Sequence, residues 1–129
     1  MYKAYASYFV SYLLAKFKKI DNIKSIVLFG SVTKGEATKD SDVDIFIEAT
    51  KKTKFFEKEI NKILDEFYKS REALLFKAKG ISNKINIIVG KLGEWKELKK
   101  SIESSGIVLY GHYVPSDING TKHLIIFWD

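Results

Sequence analysis

Residues 28–48 read LFGSVTKGEATKDSDVDIFIE, and two aspartates stand one residue apart in that stretch, Asp42 and Asp44. Side chains alternate faces along a strand, so the two carboxylates point the same way while Val43, Ile45 and Ile47 face a core. Adjacent carboxylates repel one another, and no purely structural role asks for that. A divalent cation resolves the repulsion, because Mg²⁺ takes oxygen ligands and is commonly held by one or two carboxylates together with phosphates. The plain alternative is an exposed strand edge that happens to carry acids.

Upstream, the apolar run SIVLF (residues 25–29) ends at Gly30-Ser31. A strand that ends in Gly-Ser and runs into a segment able to start a helix presents backbone N–H groups and a hydroxyl, a natural phosphate seat. Ser31 alone would read as a helix N-cap. With the aspartates it forms one chemistry, phosphates seated at Gly30 and Ser31 and bridged by metal to Asp42 and Asp44. Lys34 either adds charge beside the phosphates or is an ordinary exposed lysine. Ser41 either orients the Asp42 carboxylate or caps the turn.

The elements that must hold these groups follow from periodicity. Tyr5, Phe9, Tyr12, Leu13 and Phe17 recur at helical spacing, as do Phe56, Ile60, Ile63, Leu64 and Phe67. Strands are expected at residues 25–29, 43–48, 85–89 (INIIV) and 107–110 (IVLY), with a further short strand at 74–76. Trp95, Leu98 and Ile102 mark a helix stopped by Gly106. The tail turns at Asn119-Gly120 and ends in HLIIFW, an expected last strand over 111–129. Helices alternating with short strands give an α/β (α+β) domain built on one mixed sheet.

The 129 residues allow one domain and one core. Absence of cysteine excludes disulfides and thiolate metal sites, and no apolar run approaches the ~20 residues of a membrane helix. Without a signal-peptide pattern the expected location is cytoplasmic. The net charge of +6 suits an anionic partner such as a nucleotide or RNA, although the lysines are spread along the chain. His112 and His123 lack a second ligand pattern and read as surface or structural. Trp95 and Trp128 read as core. Tyr5, Tyr8, Phe9 and Tyr12 read as core or interface before base-stacking.

The segment FGSVTKGEATKDSDVDIFIE resembles the signature of the DNA polymerase β-like nucleotidyltransferase superfamily, hGSxxxGxxxxxSDxDhhh with h apolar, and the short chain looks like its minimal members. The match fixes Gly30, Ser31, Gly35, Ser41, Asp42 and Asp44 together. Element order extends the likeness over about 5–110. It implies the fold of that superfamily, a mixed sheet with helices mainly on one face. It also implies that Asp42 and Asp44 ligate Mg²⁺ or Mn²⁺, that Gly30 and Ser31 hold a nucleoside triphosphate, ATP for preference, and that an acceptor hydroxyl takes the nucleoside monophosphate. Lys34 and Ser41 join the candidate nucleotide-binding residues from their own places in the loop. Minimal members often act beside a small helical partner of the HEPN type, some as antitoxins.

Family members usually carry a third acid on the next strand, and the aligned residue here is Asn86. An amide oxygen can touch a metal but brings no charge and accepts no proton. Three readings stay open: the alignment is off by a strand, two acids suffice or a partner supplies one, or catalysis is lost and binding remains. The candidate functions are therefore an enzyme moving a nucleoside monophosphate to protein, RNA or a small molecule, a nucleotide-binding interaction subunit, and a basic RNA-binding protein. Base preference, acceptor and any homo-oligomer are not written in the sequence.

Overall fold

The computed structural model describes residues 1–18, 20–51 and 54–111. Four helices, α1 (Tyr2–Lys16), α2 (Lys54–Tyr68), α3 (Arg71–Ala78) and α4 (Lys96–Ser105), accompany four strands, β1 (Ile23–Phe29), β2 (Val43–Ala49), β3 (Ile85–Gly90) and β4 (Ile107–Gly111). The strands form one sheet in the order β3-β2-β1-β4. β1 pairs antiparallel with β2 and with β4, whereas β2 and β3 run parallel. The mixed sheet expected from the sequence is therefore present.

Its larger core follows the alternation of β2. Val43, Ile45 and Ile47 lie on one face and pack with Ile26, Leu28, Ile85 and Val89 against Tyr5, Phe9, Leu13, Ile60 and Phe67 of α1 and α2. The rings interlock edge to face, Phe9 on Phe67 and Tyr5 on Phe76, the geometry in which the positive ring edge meets a negative face. On the opposite face Val27, Phe29, Phe46 and Val108 meet Ile102 of α4. Three helices thus cover one side and one helix part of the other. Asp44 and Asn86, by the same alternation, belong to this less covered side.

Two expectations are corrected, and a third is refined. Residues 74–76 are not a strand: they belong to α3, whose start is fixed by the Ser70 hydroxyl accepting the Ala73 N–H at 3.2 Å. Only Ala73 and Phe76 of that helix are buried, so the apolar triplet Leu74, Leu75, Phe76 is one buried residue beside two exposed ones. Trp95 is not core but 40% exposed, and its ring lies against Gly90, where a Cβ would stand 2.8 Å from Nε1. Gly106 does end α4, but in an extended conformation (φ −67°) rather than a left-handed cap, with its N–H on the Ile102 carbonyl at 2.7 Å. The turn at Asn119-Gly120, the last strand, His112, His123 and Trp128 lie outside the described residues. Among the described residues, no helix is long and apolar enough to cross a membrane.

Candidate active site

Strand register brings the site together. Asp44 stands opposite Phe29 of β1 and opposite Asn86 of β3, so three neighbouring strands deliver Gly30, Asp44 and Asn86 to one end of the sheet. Gly30 has φ +81°, and a Cβ there would collide with Asp44 Oδ2. The backbone of the Gly-Ser turn and the Asp44 carboxylate are thus in direct apposition, which only glycine permits. On the other side the Asn86 side-chain amide donates to Asp44 Oδ1 at 3.2 Å.

The segment after Ser31 forms a single 3-10 turn, Gly30–Val32, where the sequence suggested the start of a helix. The chain folds back at once: the Gly30 carbonyl accepts from the Thr33 N–H (3.1 Å) and hydroxyl (2.8 Å), and the Ser31 carbonyl from the N–H groups of Lys34 and Glu36. No helix dipole stands behind this turn, and the Ser31 hydroxyl makes no hydrogen bond among the described residues. Lys34 sits exposed on the same loop.

Ser41 resolves in favour of the cap. Its hydroxyl accepts the Thr38 N–H at 2.9 Å, closing the 38–41 turn that leads into Asp42. Asp42 is exposed, whereas Asp44 is half-buried. Burial pushes the Asp44 carboxyl above its ordinary range; the Asn86 hydrogen bond works against that, and the Asp42 charge adds to it. A carboxylate that is desolvated and faces a like charge gains most when a cation arrives.

This donor set fits a divalent cation held jointly with substrate phosphates, the habit of Mg²⁺. Among the described residues no cluster of three or more acidic, His or Cys ligands exists, so the candidate set is the Asp42 and Asp44 carboxylates, with Asn86 turning its amide nitrogen to Asp44. Glu48, opposite Ser25 and Gly90, is at the far end of the sheet.

Sequence reasoning missed two supports. Asn83, only 4% exposed, uses its side-chain amide to hold the carbonyls of Thr38 (3.0 Å) and Ser41 (2.7 Å). The Tyr68 hydroxyl accepts the Ile85 N–H at 2.9 Å, pinning the start of β3. Neither residue lies in a local pattern that would have marked it.

A family model describing a nucleotidyltransferase domain matches residues 10–109. The chain belongs to the nucleotidyltransferase family. A protein of Methanocaldococcus jannaschii, provisionally named a protein adenylyltransferase, is 33% identical over 95 residues, covering 70% of this chain and 85% of that one. Two crystal structures share the fold of this nucleotidyltransferase. One is a variant of the toxin–antitoxin MntA–HpeT, with a TM-score of 0.54, 16% identity and coverage of 81% of this chain and 71% of the other. The second is a toxin–antitoxin with AMP-PNP, with a TM-score of 0.52, 18% identity and coverage of 81% and 73%.

Proposed function

We propose that this nucleotidyltransferase moves AMP from ATP to a hydroxyl of an acceptor protein, with Mg²⁺ or Mn²⁺ at Asp42 and Asp44. The observation that carries the reading is the wedge of Gly30, Asp44 and Asn86, in which a desolvated carboxylate touches the backbone turn suited to phosphates. The acceptor hydroxyl attacks the α-phosphorus, a new P–O bond forms, and the bond to pyrophosphate breaks. A divalent cation, when bound, neutralises the triphosphate and stabilises the charge on the attacking and leaving oxygens. Gly30 and Ser31 seat the phosphates, and Lys34 lies near enough in sequence to add charge. Asn86 cannot take the acceptor's proton, so that proton leaves to a carboxylate or to solvent.

Protein as acceptor is supported by the name of the Methanocaldococcus relative. A partner protein is supported by the toxin–antitoxin neighbours, one of which holds AMP-PNP, and the family resemblance makes a small helical HEPN-type protein its candidate. The first of them is a variant in which two aspartates, spaced as Asp42 and Asp44 are, became glutamate. The test is calorimetric titration of ATP with Mg²⁺, with Mn²⁺ and with EDTA. Binding that needs the metal and falls at least about tenfold with EDTA is expected; equal binding with and without metal refutes the site.

Asn86 favours a second reading, a nucleotide-binding interaction subunit with impaired turnover, because the strand position facing Asp44 carries an amide instead of a third acid. Asn86→Asp separates the two. Adding a carboxylate there should raise Mn²⁺ affinity by roughly tenfold or more, since ligand charge governs hard-cation binding. Turnover that rises with it identifies an enzyme limited by its metal. Turnover that stays at background in both proteins identifies the interaction subunit.

A further inference from the structure

We propose that Asn83 is a positioning residue for Asp42, holding the turn that aims this carboxylate beside Asp44; the inference rests on Asp42 being a metal ligand. Among the described residues no hydrogen bond restrains the Asp42 carboxylate, which is exposed. Its direction is therefore set by its backbone. The peptide that joins Ser41 to Asp42 carries the Ser41 carbonyl, and that carbonyl accepts from Asn83 Nδ2 at 2.7 Å. The same nitrogen reaches the Thr38 carbonyl at 3.0 Å, so both ends of the turn hang on one amide. On the far side of Asp42, the Val43 N–H donates to the Lys84 carbonyl at 2.8 Å, next in sequence to Asn83. Residues 83–84 thus grip the chain on both flanks of Asp42.

Asn83 is itself held. The Tyr5 hydroxyl, on a side chain 1% exposed, donates to the Asn83 carbonyl at 3.0 Å, tying the turn to α1 and the main core. Burial is what pushes the Tyr5 hydroxyl pKa up to about 12, so it remains a donor across the working pH range. A further mark sets this residue apart from ordinary packing. Asn83 Oδ1 is buried with no hydrogen-bond partner among the described residues. Burying such an atom without a partner is unfavourable, and an isosteric leucine would avoid it. A core position that keeps an amide with one end unsatisfied is accounted for by what its other end does, and here that end holds the approach to Asp42.

The experiment measures Mn²⁺ binding by electron paramagnetic resonance in the presence of α,β-methylene ATP, which cannot be cleaved at the reacting bond. Wild type, Asn83→Leu, Asp42→Asn and the double variant are compared, with thermal unfolding and metal-free nucleotide binding alongside. Outer-shell supports typically cost 10–100-fold in metal affinity when removed. Asn83→Leu is expected to weaken Mn²⁺ at least about tenfold while leaving metal-free nucleotide binding in place, and to add nothing in the Asp42→Asn background. A folded Asn83→Leu with wild-type Mn²⁺ affinity overturns the proposal. So does a loss of equal size in the Asp42→Asn background, which would be a structural effect that bypasses Asp42. Wild type that binds no Mn²⁺ removes the metal reading itself, and the proposal with it. Should Asn83→Leu fail to fold, Tyr5→Phe takes its place with the same outcomes, because it keeps the ring packing and removes only the hydroxyl on the Asn83 carbonyl.

Discussion

Asp44→Asn should abolish nucleotidyl transfer while leaving the protein as stable as before, or more so. Turnover is expected to fall by about a thousandfold or more, because a metal ligand supplies several kcal/mol of transition-state stabilisation and each 1.4 kcal/mol is a factor of about ten. Stability moves the other way for a separate reason. Burial and the Asp42 charge hold the folded Asp44 carboxyl above its ordinary range, so the native state binds that proton more tightly than the unfolded chain does. The ionised carboxylate is therefore a net cost at neutral pH. That cost is complete above the raised folded value and vanishes as pH falls toward the ordinary carboxylate range. Asparagine removes it and can still exchange a hydrogen bond with Asn86. The expected gain is a rise in Tm at pH 7, held small because the carboxylate is only partly buried and screened by solvent, and it is nearly absent at pH 4. Thermal unfolding at the two pH values, beside a labelled-nucleotide transfer assay, measures both effects. A variant that lost activity because it unfolded would contradict the account.

The parts of this site that could be read in the sequence are those whose geometry is local. Alternation along β2 sets Asp44 against Val43, Ile45 and Ile47, and the folded strand buries the three apolar residues as that alternation requires, while Asp42 lies one residue before the strand begins. The position of Asn86 was legible only through the family resemblance, whose third acid aligns there, and the parallel pairing of β2 and β3 sets that residue opposite Asp44. Residues 74–76 were not legible, because three consecutive apolar residues have no period. The capping hydroxyl of Ser70, outside the run, decided for helix. Asn83 was out of reach altogether. Its contacts with Thr38 and Ser41 span 45 and 42 positions, and nothing near it in the chain distinguishes it from a surface asparagine. The Gly-Ser turn lies between these cases. Its glycine was expected to admit a phosphate, whereas the nearest group that the structure shows it admitting is the Asp44 carboxylate.

That contact makes Gly30→Ala the second large effect, and it has two separable causes. The first is conformational: at φ +81° an L side chain costs roughly 1–2 kcal/mol. The second is steric, because the new Cβ would overlap Asp44 Oδ2 and stand 3.3 Å from Cγ. To relieve it, either the Asp44 carboxylate turns away from the turn or β1 and β2 part at Phe29, and each displaces the group that the chemistry needs. Gly80 provides the control, since it has φ +85° with nothing within 4 Å of a Cβ and so carries the conformational cost alone. Gly80→Ala is expected to lower stability by about 1–2 kcal/mol and to keep transfer in proportion to the folded protein. Gly30→Ala should cost at least about 1 kcal/mol more than that and reduce transfer by about a hundredfold, since displacement of a reacting group by ~1 Å is worth that much. In an Asp44→Ala background the extra stability loss should largely vanish, because the atoms that collide with Cβ are gone, while the conformational part persists. Chemical denaturation of wild type, the three single variants and the double variant reads these differences. If Gly30→Ala and Gly80→Ala prove equally stable and equally active, the turn does not press on Asp44, and the wedge that supports the metal–nucleotide site is not there.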